Sequence, residues 1–222
     1  MKPIAIIHSD FKEKFGIPRQ SRLVEELTAK IEFLPPYNNT DCLRGLDGYS
    51  HIWLIWQFSE NLNAPFSPTV RPPRLGGNKR MGVFATRSPF RPNPIGLSVV
   101  KIEEIDFKTP SVTVSGADLM DLTPIYDIKP YLPHIDSIPE ATGGFAADFK
   151  DYALEVNFPE ELLSLIPKEK QKSLIAVLSQ DPRPSYQNDE ERIYGMNFSG
   201  FNISFKVIGD TLIVTEVKQP LD

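Results

Sequence analysis

Short apolar runs rich in isoleucine, valine, phenylalanine and tryptophan recur along the first half of the chain. They occupy residues 4–8 (IAIIH), 31–35 (IEFLP), 51–58 (HIWLIWQF), 81–86 (MGVFAT), 95–105 (IGLSVVKIEEI) and 111–117 (SVTVSGA). Each is bounded by proline, glycine, asparagine or aspartate, which is how a strand reads. No helix-length pattern separates them regularly. That argues against a parallel βαβ sheet and predicts a mainly β fold, an antiparallel barrel or sandwich. One short helix is expected over residues 40–46 (TDCLRGL), capped by Thr40 or Asp41.

The pattern changes after residues 141–149 (ATGGFAADF). Residues 158–180 have helical spacing and open on Pro159 followed by two acids, a favourable helix start. Pro167 divides that stretch into two helices. Residues 197–217 alternate on both sides of Gly209-Asp210, which predicts a hairpin with a two-residue turn. The expected organisation is a β domain over 1–150 and a small α+β C-terminal domain over 151–222.

Composition changes this picture little. At 222 residues, 41% hydrophobic and 24% charged, the chain reads as an ordinary soluble protein. The lone Cys42 excludes an internal disulfide and fits a reducing compartment. The apolar run at the N-terminus is too short for a signal peptide, and HIWLIWQF is too short to span a bilayer. The expectation is a cytoplasmic protein with no membrane partner.

Charge changes it more. The formal net charge of −5 argues at first against a nucleic-acid partner. Residues 71–93, however, hold Arg71, Arg74, Lys79, Arg80, Arg87 and Arg91 and no acid, which leaves 18 basic against 29 acidic residues elsewhere. A basic patch on an acidic body can hold phosphates.

Several chemistries are excluded by pattern. There is no G-x-G-x-x-G, no phosphate-loop signature and no G-x-S-x-G. His8, His51 and His134 are far apart and, with one cysteine, make no metal site. The densest signal is the loop at 85–98, ATRSPFRPNPIGLS. Ser88, Arg91 and Asn93 each precede a proline and are pushed toward extended geometry. Pro89, Pro92 and Pro94 fix φ and donate no N–H, so the loop's shape is set before any ligand arrives. Arginine and asparagine in such a frame suit carboxylates, phosphates or base edges. An acidic stretch follows at 116–134, GADLMDLTPIYDIKPYLPH, where Asp118, Asp121 and Asp127 serve either a ligand or turn chemistry. The segments FGIPRQS (15–21) and DPRPSY (181–186) repeat the pairing of arginine with proline.

Taken together, FKEKFGIPRQ, RPPRLGGNKRMGVFATRSPFRPNPIGLS, DIKPYLP and DPRPSY resemble the S-adenosylmethionine-dependent tRNA (adenine-N6)-methyltransferases that act on N6-threonylcarbamoyladenosine beside the anticodon. The resemblance runs in order along nearly the whole chain. It implies an antiparallel β-barrel cofactor domain, a homodimer with the cofactor near the subunit interface, and S-adenosylmethionine held without a glycine-rich fingerprint. By motif position, it implies cofactor contacts at Pro18, Arg19, Gln20, Ser59, Glu60, Arg87 and Leu97 and at Ala117, Asp118, Leu119 and Met120. The family carries Asp-Gly-Thr-Pro where this chain has Asp121-Leu122-Thr123-Pro124. A turn that needs positive φ would strain Leu122.

The acceptor nitrogen must lose a proton, and Asp118, Asp121 or the phenol of Tyr126 is the expected helper. Arg71, Arg74, Lys79, Arg80 and Arg91 are expected to track the anticodon-loop backbone. Asp181, Arg183 and Tyr186 are expected to receive the modified base, with Tyr186 stacking on it. Two other readings stay open at this point: a non-catalytic RNA-binding protein that keeps the fold, and an enzyme acting on a small molecule.

Overall fold

The computed structural model describes residues 1–72, 75, 78–149, 152–184, 187 and 189–219. Eight strands make up the N-terminal part: β1 (Ala5–His8), β2 (Thr28–Phe33), β3 (His51–Gln57), β4 (Thr69–Val70), β5 (Met81–Gly82), β6 (Ile95–Asp106), β7 (Ser111–Ser115) and β8 (Thr123–Pro130). Six of them close into a barrel in the order β1-β2-β7-β6-β3-β8. Every neighbouring pair is antiparallel. Closure removes the unpaired edges that an open sheet would expose. The alternation in β3 explains how the strand is held. Ile52, Leu54 and Trp56 are buried, while the residues between them are only partly covered. Ile7, Ile31, Val100, Val112, Val114 and Ile125 fill the same core. Irregular registers at Ile55/Trp56 and Ile102/Glu104 fall where the sheet must curve to close.

Three details depart from the sequence pattern. The run at 81–86 gives only the two-residue β5, paired with β4, and then a 3-10 turn over Val83–Ala85. Val83 is buried, and its N–H bonds Pro68 O, so the chain leaves the ribbon at that point. The expected helix at 40–46 is a pair of 3-10 turns, Thr40–Leu43 and Leu46–Gly48, split by Gly45 at φ 82°. The cap is Asn39, whose side chain accepts from Asp41 N–H. Strand β8, inside the stretch read as an acidic cluster, completes the barrel although Pro124 and Pro130 lie in it.

A single helical turn, α1 (Pro133–Asp136), follows the barrel. Beyond it come β9 (Glu155–Asn157), α2 (Glu160–Leu163), α3 (Lys168–Ser179), β10 (Tyr194–Phe198), β11 (Phe201–Ile208) and β12 (Thr211–Lys218). They form a sheet in the order β10-β11-β12-β9, with β9 parallel to β12. Pro167 separates α2 from α3 as the pattern requires, and β11 turns into β12 at Gly209-Asp210. The helix α3 buries Ser173, Leu174, Val177 and Leu178.

The connection between β1 and β2, residues 9–27, belongs to both parts. Phe11, Val24 and Leu27 are buried in the C-terminal core. Phe11 meets Phe198 edge-on, with ring centroids 5.6 Å apart. Asp10 accepts from Ser199 N–H through its carbonyl at 2.8 Å and pairs through its carboxylate with Lys170 Nζ at 2.7 Å. Among the described residues no helix is long and apolar enough to cross a membrane.

Candidate active site

Three segments far apart in sequence meet at Asp118. The first is the turn at 116–122, bracketed by two left-handed residues, Gly116 at φ 76° and Leu122 at φ 63°. At Gly116 a Cβ would lie 3.3 Å from the Arg22 backbone, so glycine permits the close approach of the second segment, residues 18–22. Arg22 N–H donates to Gly116 O at 2.8 Å, and the Ser21 N–H lies close enough to lower the pKa of the Asp118 carboxyl. The third segment is the proline loop, from which the Arg87 guanidinium donates to the Gln20 side-chain carbonyl. The same guanidinium acts on Asp118 through its charge.

Leu122 answers the question raised by its sequence. The turn does take positive φ there, and Leu122 adopts it, with its N–H bonded to Ile7 O at 2.9 Å. The left-handed region costs a residue with a Cβ roughly 1–2 kcal/mol. The side chain is 62% exposed, so the turn keeps its geometry without displacing core.

Asp118 is surrounded on most sides by protein. Burial pushes its carboxyl well above the usual carboxylate range. Hydrogen bonds from Ser98 and from the backbone N–H groups of Asp118 and Ser21, together with the Arg87 charge, pull the other way but only in part. Ser98 Oγ donates to Asp118 Oδ1 at 2.6 Å. Ser98 in turn accepts from Trp56 Nε1 at 3.0 Å. Both Trp56 and Ser98 are buried. The indole lies against Gly96, where a Cβ would meet the ring at 2.2 Å, so that strand position must be glycine.

The other expected residues divide into groups. Leu97 is 56% exposed and alternates with the buried Gly96 and Ser98 along β6, so its side chain faces away from the Ser98–Asp118 bond. Ser59 and the exposed Glu60 lie in a 3-10 turn over Ser59–Asn61, tied to the β1–β2 connection by Lys14 Nζ donating to Asn61 Oδ1 at 2.9 Å. Ala117 and Leu119 bury their side chains in the barrel core and so offer only backbone. Met120 O accepts from Thr123 Oγ1 at 2.7 Å. Asp121 accepts from Ser9 N–H at 3.2 Å and lies 3.4 Å from His8 Nδ1. Tyr126 donates its hydroxyl proton to Gln57. Asp127 pairs with Lys129 at 2.9 Å.

Arg19 reaches the DPRP segment instead of the Asp118 cluster. Its guanidinium donates to Arg183 O at 3.1 Å and Asp181 O at 3.4 Å, beside a cavity of about 240 Å³ that Pro18 and Pro182 also line. Asp181 and Arg183 form a buried bidentate pair, Nε–Oδ1 2.8 Å and Nη2–Oδ2 3.0 Å. Tyr152 adds a 2.7 Å hydrogen bond to Asp181 Oδ2. Burial pushes the Asp181 carboxyl up, but Arg183 and Tyr152 outweigh it and leave it below the usual range. The Arg183 guanidinium is thus engaged inside the protein.

Of the basic residues, Arg71 and Lys79 are exposed, and Arg80 donates to Thr69 Oγ1 at 2.9 Å. Arg91 donates to Thr86 O at 2.7 Å and lies over the Phe84 ring, so it braces its own loop. Arg74 and Tyr186 lie outside the described residues.

Sequence reasoning missed Trp56, Ser98, Lys14, Asn61 and Tyr152. Only one of the local signals was available: a glycine at position 96 inside an apolar strand marks a place where something approaches closely.

Two domain-family models match the chain: the tRNA-methyltransferase O N-terminal domain over residues 6–137 and the TrmO C-terminal domain over residues 151–220. A tRNA (adenine(37)-N6)-methyltransferase of Escherichia coli strain K12 is 44% identical over 214 residues, covering 92% of this chain and 91% of that protein. A Pseudomonas aeruginosa protein with the provisional name S-adenosylmethionine-dependent methyltransferase RcsF is 42% identical over 204 residues, covering 88% of this chain and 87% of that one. A crystal structure of TrmO from Pseudomonas aeruginosa matches with a TM-score of 0.81 at 34% identity, covering 98% of this chain and 95% of that one.

Proposed function

The chain belongs to the tRNA-methyltransferase O family, and from that premise we propose that it methylates N6 of N6-threonylcarbamoyladenosine at position 37 of tRNA, beside the anticodon. It is an S-adenosylmethionine-dependent tRNA (adenine-N6)-methyltransferase. The observation that carries the reading is the convergence of the 18–22 segment, the proline loop and the 116–122 turn on Asp118. The left-handed geometry of Leu122 supports the reading that the turn keeps its shape without glycine.

The donor set suits the cofactor. Arg87 offers a cation for a carboxylate, Gln20 an amide, Asp118 a carboxylate for ammonium or hydroxyl groups, and Leu97 exposed apolar surface. Ser59, Glu60 and the backbone of 117–120 complete the frame, while Pro18 and Arg19 border it on the side of the DPRP cavity. Bound there, S-adenosylmethionine supplies an electrophilic methyl group on a sulfonium cation. The chain's part is positioning and proton removal. Asp118 is the base. Of the three candidates it alone sits with Arg87 and its partner Gln20, and burial raises its carboxyl. Asp121 and Tyr126 are committed to Ser9 and Gln57, and hold the turn and β8.

Arg71, Arg74, Lys79 and Arg80 carry the RNA backbone. The Asp181–Arg183 pair shapes the floor below the modified base, against which Tyr186 stacks. The exposed Phe84, Phe90, Leu97 and Leu122 are covered by a second copy in a cytoplasmic homodimer. The C-terminal domain starts near residue 150.

The test is nucleoside mass spectrometry of tRNA before and after incubation with protein and cofactor. A methyl gain on threonylcarbamoyladenosine is expected. A gain on another nucleoside, or none, overturns the substrate. For the base, Asp118→Asn should lower kcat, measured at saturating cofactor, by at least about a hundredfold, beyond any rise in cofactor Kd. Full kcat, or a loss confined to cofactor affinity, removes Asp118 from that role.

A further inference from the structure

A carboxylate that takes a proton faces opposing demands. It must be basic, which burial achieves, and it must also be deprotonated and aimed at the substrate when the reaction starts. Burial disfavours the charged form of Asp118, so other groups must oppose it. The groups that act on it are few: Ser98 from β6, the backbone N–H groups of Ser21 and Asp118, and the charge of Arg87 from the proline loop.

Ser98 differs from the others because its proton can turn. A serine hydroxyl carries one proton and two lone pairs, and it rotates to suit its partners. An indole N–H can only donate. With Trp56 Nε1 donating to Ser98 Oγ at 3.0 Å, that side of the oxygen is taken, and the hydroxyl proton is directed to Asp118 Oδ1 at 2.6 Å. The chain of bonds runs one way, from indole to hydroxyl to carboxylate. Its geometry is locked by packing. Trp56 is a barrel core residue in register with Gly96, whose missing side chain admits the ring. Ser98, two residues on along β6, is 1% exposed.

We infer that Trp56 and Ser98 are positioning residues, whose directed hydrogen bonds orient the Asp118 carboxylate toward the cofactor and substrate and favour its charged form. The inference rests on the reading of Asp118 as the base, and it deepens that reading by naming what tunes it. Neither residue touches a reactant. Both act through Asp118.

The experiment uses the full-length protein with tRNA substrate and measures kcat/KM against pH for wild type, Ser98→Ala and Trp56→Phe. A hydrogen bond to a charged group is worth enough to move a titration by about one pH unit. In Ser98→Ala the acid limb should therefore move up by about one pH unit. Activity below the midpoint should fall about tenfold, while the alkaline plateau keeps most of its height. Trp56→Phe should move the limb the same way by less, because the hydroxyl remains but is no longer directed.

In parallel, the Asp118 carboxyl carbon is titrated by NMR in wild type and both variants, with folding confirmed by circular dichroism. A midpoint raised in Ser98→Ala supports the relay. Uniform loss of activity at all pH values with an unmoved carboxyl midpoint overturns it. If Asp118→Asn keeps full kcat, the base assignment falls, and the carboxyl titration still decides the relay by itself.

Discussion

At the scale of single residues, the site concentrates what a stable core avoids. Asp118 is a carboxyl whose folded pKa is raised by burial. Such a group favours folding while protonated, so its contribution is fully present below the unfolded carboxyl value of about 3.9 and is lost as pH rises through the folded value. At neutral pH the wild-type protein therefore carries a standing cost that function requires. Asp118→Asn keeps the shape and removes the charge. It should melt at the same temperature as wild type near pH 4 and at a higher temperature at pH 7–8, while losing activity. Thermal melts across that range measure the difference. A variant that melts lower at pH 8 than wild type would mean that the carboxylate is a net stabiliser. Leu122 is a second cost of this kind, with a left-handed backbone held at the rim for its turn and not for any packing gain.

At the scale of elements, the connection between β1 and β2 links site and stability. It carries Phe11 into the C-terminal core, ties Lys14 to Asn61 and leads into the Pro18–Arg22 segment that bonds the 116–122 turn. Phe11→Ala should cost about 3–5 kcal/mol, as buried phenylalanine truncations do. It should also weaken cofactor binding, because the loosened connection no longer presents Gln20 to Arg87. Urea denaturation and calorimetric titration read the two effects. Lost stability with unchanged cofactor affinity would show that the segment is held from the barrel side alone. This element also marks the limit of what sequence could show. Strands β1, β2, β3, β6 and β7 were legible because their apolar runs are bounded by turn residues, and the split at Pro167 and the turn at Gly209-Asp210 follow from local chemistry. Strand β8 was hidden because two prolines and an aspartate mask its alternation, and it is set by pairing with β1 and β3. The proline loop and the acidic turn were legible as a candidate site. The Trp56–Ser98–Asp118 chain was not, since it joins three strand or turn positions that meet only when the barrel closes.

At the scale of the whole molecule, charge distribution decides how RNA can approach. The chain is acidic overall, with a formal net charge of −5, so most of its surface repels a polyanion. The stretch from 71 to 93 concentrates cations without acids, but the structure divides their labour. Arg87 is bonded to Gln20, and Arg91 to its own loop carbonyls. Arg71 and Lys79 are exposed. If, as proposed, Arg71 and Lys79 carry the RNA backbone, these exposed cations on an acidic body steer the RNA to themselves and give binding a salt dependence set by the number of phosphates touched. Each contact to single-stranded RNA contributes about 0.7 to the slope of log affinity against log salt. The Arg71→Ala, Lys79→Ala double variant should therefore bind tRNA more weakly at low salt and flatten that slope by about 1.4. Cofactor affinity should stay unchanged, because neither residue is among the groups that act on Asp118. Arg91→Ala should behave differently. It removes a brace of the proline loop, so it should leave the salt slope nearly intact while raising the cofactor Kd through Arg87. Filter binding across a salt series with cofactor titration on the same three proteins separates the roles. An unchanged slope in the double variant would move the RNA path off this edge. A flattened slope in Arg91→Ala would return that arginine to the RNA face.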